Sequence, residues 1–158
     1  MQSKSAFAAV VGRPSSGKST LMNALCGRKV SIVSPVPQTT KNTIRGIVNR
    51  PEGQIVFLDT PGIHDSEQRL NQRLRDLARE ALGGADLVLY VLDSTRAPGR
   101  EEQAIAALLA PYSAKTLAAV NKTDAEGSDS GRARAFLADA LPGVEALEIS
   151  ALTGAGTP

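Results

Sequence analysis

Short apolar runs alternate with helical patterns along almost the whole chain. Residues 6–11 form an apolar run of strand length, and residues 18–26 carry Leu21, Ala24 and Leu25 on one helical face before Gly27 closes the pattern. Residues 44–50 alternate in character and residues 54–58 are largely apolar, and the Pro51-Glu52-Gly53 turn between them predicts a hairpin. From 67 to 82, Leu70, Leu74, Leu77 and Ala81 recur every three or four positions, the stripe of an amphipathic helix with Asp65 as cap and Gly83-Gly84 as its end. Residues 87–92 are an almost unbroken apolar strand, as expected in a sheet covered on both faces. The alternation continues with a helix over 100–110 stopped by Pro111, a strand over 115–120, a helix over 131–141 stopped by Pro142-Gly143, and a strand over 144–149. This order predicts an α/β fold, a three-layer sandwich with a mostly parallel sheet of about six strands and helices on both faces. Only small and turn-forming residues follow, over 150–158, where such a domain usually adds a covering helix. The expectation is a single domain over 1–158, cut short before its last helix, with that face thinly covered.

Composition narrows the class. A length of 158 residues suits one domain with one sizeable core. The lone Cys26 excludes an intrachain disulfide framework and fits a reducing compartment; on the first helix it reads as a small core residue. No apolar run approaches the roughly 20 residues of a membrane span, so a soluble, cytoplasmic domain is expected. A net charge of +2 is too weak to attract nucleic acid by field alone, and three Phe, two Tyr and no Trp leave no stacking platform for bases.

The candidate chemistry sits where strands end. Residues 6–11 run into Gly12-Arg13-Pro14-Ser15-Ser16-Gly17-Lys18-Ser19, which matches G-x-x-x-x-G-K-[ST] with a strand before it and a helix, beginning with Lys18, Ser19 and Thr20, after it. The two glycines let the backbone curl so that N–H groups face phosphate oxygens, and the helix adds its positive end. Lys18 supplies a mobile cation for the outer phosphates, and the Ser19 hydroxyl is placed to ligate Mg²⁺. Leu58 is followed by Asp59-Thr60-Pro61-Gly62, which puts a carboxylate at a strand end where a water-mediated Mg²⁺ anchor belongs and a glycine N–H near a γ-phosphate; as four residues alone it is equally an ordinary turn. The strand over 115–120 ends in Asn121-Lys122-Thr123-Asp124. Guanine offers its N1–H and amine as adjacent donors that one carboxylate, Asp124, can accept, while Asn121 can bridge loops and the Lys122 stem can lie along the base. Ser150-Ala151-Leu152 end the last strand with small residues whose N–H groups can reach the base oxygen.

With these residues in place, the sequence resembles the P-loop GTPases, and among them the Era family most. The closer likeness lies in Gly12-Arg13-Pro14, in Lys18-Ser19-Thr20-Leu21-Met22-Asn23-Ala24-Leu25 and in Pro37-Gln38-Thr39-Thr40-Lys41, and it covers essentially the whole chain. The resemblance implies that Thr40 ligates Mg²⁺ and senses the γ-phosphate, that Asp59 and Gly62 belong to a second switch, and that Lys18, Thr40 and Gly62 position the hydrolysis. It implies a slow GTP-hydrolysing switch in assembly of the 30S ribosomal subunit, contacting 16S rRNA mainly through a C-terminal KH domain that this sequence does not contain. It also implies a monomeric chain, cytoplasmic or peripheral to the inner membrane. Two readings stay open beside it: another ribosome- or tRNA-associated GTPase of the superfamily, and a guanine-nucleotide-binding module with negligible hydrolysis. A P-loop kinase or ATPase fails on Asp124.

Two departures matter. Cation-activated relatives usually have asparagine where this chain has Ser15, and a hydroxyl is a shorter ligand than an amide oxygen, which argues against potassium stimulation. Ile63 stands where Ras-like enzymes place a water-orienting glutamine, so slow turnover is expected. His64 reads as a solvated switch residue rather than a general base, and Arg69, Arg73, Arg75 and Arg79, interleaved with Glu67, Asp76 and Glu80, read most simply as a solvated helix face.

Overall fold

The computed structural model describes residues 4–13, 15–26, 44–60 and 72–158. Along these the chain runs β1 (Lys4–Val11), α1 (Lys18–Cys26), β2 (Ile44–Arg50), β3 (Gly53–Asp59), α2 (Gln72–Gly84), β4 (Leu87–Asp93), α3 (Arg100–Leu109), a 3₁₀ helix (Ala110–Lys115), β5 (Thr116–Asn121), α4 (Ser130–Ala140) and β6 (Glu145–Glu148). The six strands form one sheet in the order β2-β3-β1-β4-β5-β6. Only β2 runs antiparallel, paired with β3 through the expected hairpin, with a register shift between Ile44 and Gly46.

Alternation along the central strands sorts side chains to two faces. Ala9 and Val11 of β1, with Val88, Tyr90 and Leu92 of β4, point to the face covered by α2, α3 and α4, where Ala78, Leu82, Ile105, Leu109 and Leu137 pack. Ala8 and Val10, with Leu89 and Val91, point to the opposite face against Leu21 and Met22 of α1. Among the described helices α1 alone covers that face, and Leu147, beside Ala119 in the register, stays 42% exposed there.

Several boundaries differ from those expected. Pro111 does not end structure but sits in the first turn of the 3₁₀ helix, where its missing N–H has no partner to lose. Lys115 therefore belongs to that helix and β5 starts at Thr116. Helix α2 takes in Gly83 and Gly84 before it stops. Its expected beginning at residue 67, the Asp65 cap and the switch segments over 27–43 and 61–71 lie outside the described residues. Helix α4 is capped by Asp129, whose side chain accepts from Arg132 N at 2.9 Å. Residues 150–158 form turns and no helix. Among the described residues no helix is long and apolar enough to cross a membrane.

All strands but β2 are parallel, so their C-terminal ends share one edge of the sheet. The chain goes to one side of β1 for β2 and β3 and to the other for β4, which places a topological switch point beside the loop that follows β1.

Candidate functional site

The loop from Gly12 to Lys18 closes on itself through backbone and lysine. Lys18 Nζ donates to the carbonyls of Gly12 (2.6 Å) and Arg13 (3.1 Å), and Ser16 N donates to the same Arg13 carbonyl at 3.2 Å. Each glycine is required by a neighbour. A Cβ on Gly12 would stand 2.7 Å from both Ser16 Oγ and the Val91 carbonyl, and one on Gly17, at φ +100°, would overlap the Asn121 side-chain amide. Ser16 is buried, Ser15 is exposed at φ 66°, and Ser19 and Thr20 lie exposed on the first turn of α1. Pro14 lies outside the described residues.

Asp59 ends β3 directly beside Val10 in the register, two residues before Gly12. Its carboxylate and the Ser19 hydroxyl are hard oxygen donors on one sheet edge, a donor set that suits Mg²⁺. Among the described residues there is no cluster of three His, Cys, Asp or Glu. Thr60 is buried and its hydroxyl donates to the Val10 carbonyl at 3.1 Å; the side chain ties β3 to β1 rather than facing the loop. The other candidates here, Thr40, Pro61 and Gly62, and with them Ile63 and His64, lie outside the described residues, as do the side chains of Arg73 and Arg75.

The third group forms a clasp. Asn121, buried at the end of β5, donates through Nδ2 to the Ser16 carbonyl and accepts through Oδ1 from Ala151 N, both at 3.0 Å. One amide thus joins the loops after β1 and β6. Lys122, at φ 66°, donates to the Ser15 carbonyl at 2.6 Å and pairs with Asp93 at 2.9 Å. Thr123 bonds the Ile149 carbonyl through its N–H and its hydroxyl. Asp124 is exposed, and its Oδ1 accepts from Ser150 Oγ at 2.6 Å, so the carboxylate is held by the loop after β6. Ala151 is buried and Leu152 is 79% exposed.

Two acids missing from the sequence reading belong to this edge. Asp93 ends β4 beside Asn121 and accepts from Thr95 N, Thr95 Oγ1 and Lys122 Nζ. Burial alone would raise its carboxyl, but the bonds from Thr95 and Lys122 outweigh it and hold the group below its ordinary value. The reasoning that singled out Asp59, an acid at a buried strand's end, applies equally to Asp93. The other is Glu102 in the first turn of α3, 1% exposed, whose Oε1 lies 3.3 Å from Arg13 Nε and whose Oε2 is hydrogen-bonded by Tyr90. Burial pushes its carboxyl up to about 7, against the lowering charges of Arg13 and Lys18. The Arg13 side chain is buried against α3, which leaves only its backbone facing the loop. Nothing in the helical pattern over 100–110 marks Glu102, because its partners come from β4 and the loop after β1.

A family model described as a 50S ribosome-binding GTPase matches residues 7–122. The chain belongs to this GTPase family. Within it, the chain is similar to GTPase Era of Treponema pallidum, 57% identical over 122 residues that make up 77% of this chain and 38% of that protein. It is 48% identical to GTPase Era of Treponema denticola over 150 residues, 93% of this chain and 51% of that protein. Its fold superposes with a TM-score of 0.73 on the crystal structure of Era in complex with MgGDPNP and nucleotides 1506–1542 of 16S ribosomal RNA, at 34% identity over 98% of this chain and 53% of that one. The likeness to the Era family read from the motifs is therefore borne out. The chain spans between 38% and 51% of the length of these curated relatives.

Proposed function

We propose that this GTPase-family chain binds guanine nucleotides with Mg²⁺ and hydrolyses GTP slowly, as the switch of a cytoplasmic protein acting in assembly of the small ribosomal subunit. The observation that carries the nucleotide reading is the clasp: Asn121 ties together the loops after β1 and β6, and Ser150 holds Asp124 in place. In this reading Asp124 accepts the two guanine donors, Lys122 lies along the base, and the N–H groups of Ser150, Ala151 and Leu152 face its oxygen. The backbone of residues 12–17 and Lys18 hold the phosphates, with Thr20 on the helix turn behind them. Ser19, Thr40 and, through water, Asp59 would hold Mg²⁺. Bound there, the ion would draw off the charge that develops on the phosphates. Lys18, with Thr40 and the Gly62 N–H, would position the γ-phosphate, and Ile63 brings no polar atom to the attacking water, so turnover is slow.

The ribosomal part rests on relatives named GTPase Era and on the Era structure that holds 16S rRNA nucleotides 1506–1542. It is proposed for the whole protein, with this chain as its nucleotide-dependent part. The deciding experiment is calorimetry with GDP, ADP and xanthosine diphosphate. GDP binding is expected with no ADP binding, and Asp124→Asn should exchange the preference from guanine to xanthine. Equal uptake of ADP and GDP, or an unchanged preference in the variant, would overturn the assignment.

A further inference from the structure

Arg13 is the residue on which the phosphate loop closes. Its carbonyl accepts from both Ser16 N and Lys18 Nζ, so the turn and the lysine share one acceptor. Its side chain leaves the loop and is buried, with Nε 3.3 Å from Oε1 of Glu102. Tyr90 of β4, fully buried, hydrogen-bonds the other carboxylate oxygen. Neither Arg13 Nε nor Glu102 Oε1 has an aligned hydrogen-bond partner among the described residues, so the two groups meet as charges, with Lys18 a second cation acting on Glu102. Removing one side of such a buried pair leaves an uncompensated charge under the loop, which the loop can relieve only by moving. Glu102 is well placed to be the fixed side: it lies in the first turn of α3, where the helix's positive end favours an anion, and α3 is anchored in the core through Ile105, Ala106 and Leu109.

We infer that Glu102 is a positioning residue of the phosphate loop, which through Arg13 holds the loop backbone and Lys18 in the arrangement that grips the nucleotide's phosphates. This rests on the guanine-nucleotide reading and adds to it a residue that touches no ligand. The groups that face the carboxyl are Arg13 from the loop, Lys18 from α1 and Tyr90 from β4, with Glu101 beside it on α3. Because burial brings the Glu102 carboxyl to about 7, the hold on Arg13 weakens across neutral pH, and the loop's grip weakens with it.

The test measures the dissociation constant of fluorescently labelled GDP with Mg²⁺, on the whole chain, between about pH 6 and pH 8. The wild type should bind most tightly at the upper end and lose affinity several-fold toward the lower. Glu102→Gln should bind roughly tenfold more weakly at the upper end, with a flatter pH profile that keeps only the titration of the GDP phosphate itself. Arg13→Gln should match it, and the double variant should be no worse than either single one. Tyr90→Phe keeps the ring in the core and removes one donor to the carboxylate; it should weaken binding a few-fold and move the pH midpoint upward. A folded Glu102→Gln with wild-type affinity and pH profile, or additive losses in the double variant, would overturn the inference. Should Glu102→Gln not fold, Tyr90→Phe decides it, and an unchanged profile there overturns it equally. A wild type that binds no GDP at any pH refutes the guanine-nucleotide reading itself, whereas the variant results bear on Glu102 alone.

Discussion

Gly12 and Gly17 show how little the phosphate loop owes to side chains at its bends: the space a Cβ would need is already taken by Ser16, Val91 and Asn121. Ser15 and Lys122 take left-handed backbone angles without being glycine, a conformation that costs an ordinary residue roughly 1 kcal/mol or more. The bond from Lys122 Nζ to the Ser15 carbonyl links these two residues directly. The two buried acids act on stability in opposite pH ranges. Glu102 has a raised carboxyl, so its contribution is complete below its ordinary 4.5 and is lost as pH climbs through about 7. A shift of that size corresponds to about 3 kcal/mol by linkage. Asp93 is depressed below its ordinary value of 3.8, so its contribution is present at neutral pH and is lost only as pH falls well into the acid range. Urea unfolding between about pH 5 and pH 7.5 should therefore show the wild type losing stability relative to Glu102→Gln as pH rises. Parallel pH curves for the two proteins would contradict the burial of an ionisable carboxyl at this position.

At the scale of elements, the site is a set of strand ends joined by loops, and Asn121 is their common joint. Its amide serves one acceptor in the loop after β1 and one donor in the loop after β6, both buried. Replacing it by alanine leaves the Ser16 carbonyl and the Ala151 N–H without that partner, at roughly 2–4 kcal/mol for the two groups. Asn121→Ala should lower the free energy of unfolding by that amount and weaken GDP binding. A variant with wild-type stability would show that the loops hold their places without the joint. Pro111 teaches a smaller lesson at this scale: a proline after a helical stretch marks the end of α-helix, yet it begins a 3₁₀ turn because that turn does not need its N–H.

For the whole molecule, the strand order matters most. Crossing from the β3 side of β1 to β4 opens the loop after β1 toward the loops after β5 and β6, so the groups proposed to hold phosphates and base meet along one edge. With its loops clasped by Asn121 but no polar side chain at Ile63, the proposed site should still turn over, since positioning and charge stabilisation supply much of phosphoryl-transfer catalysis. With protein in excess over GTP, slow release of one equivalent of phosphate is expected. Folded protein that binds GTP and releases none would leave a nucleotide-binding module in place of the enzyme.

Spacing and alternation along the chain determined the α/β class, the hairpin, most strand and helix positions and the three motif groups, because these depend on neighbours a few residues apart. Asn121 was legible as a bridge because its motif closes a strand at the loaded edge of the sheet. Only the tertiary structure decided that Arg13 turns to α3, that Thr60 is tied to β1, and that Asp93 and Glu102 stand beneath the loops. Arg13 meets Glu102 from another element, Thr60 bonds Val10 50 positions away and Asp93 pairs with Lys122 29 positions away, and no local periodicity records which side chains a parallel sheet brings side by side.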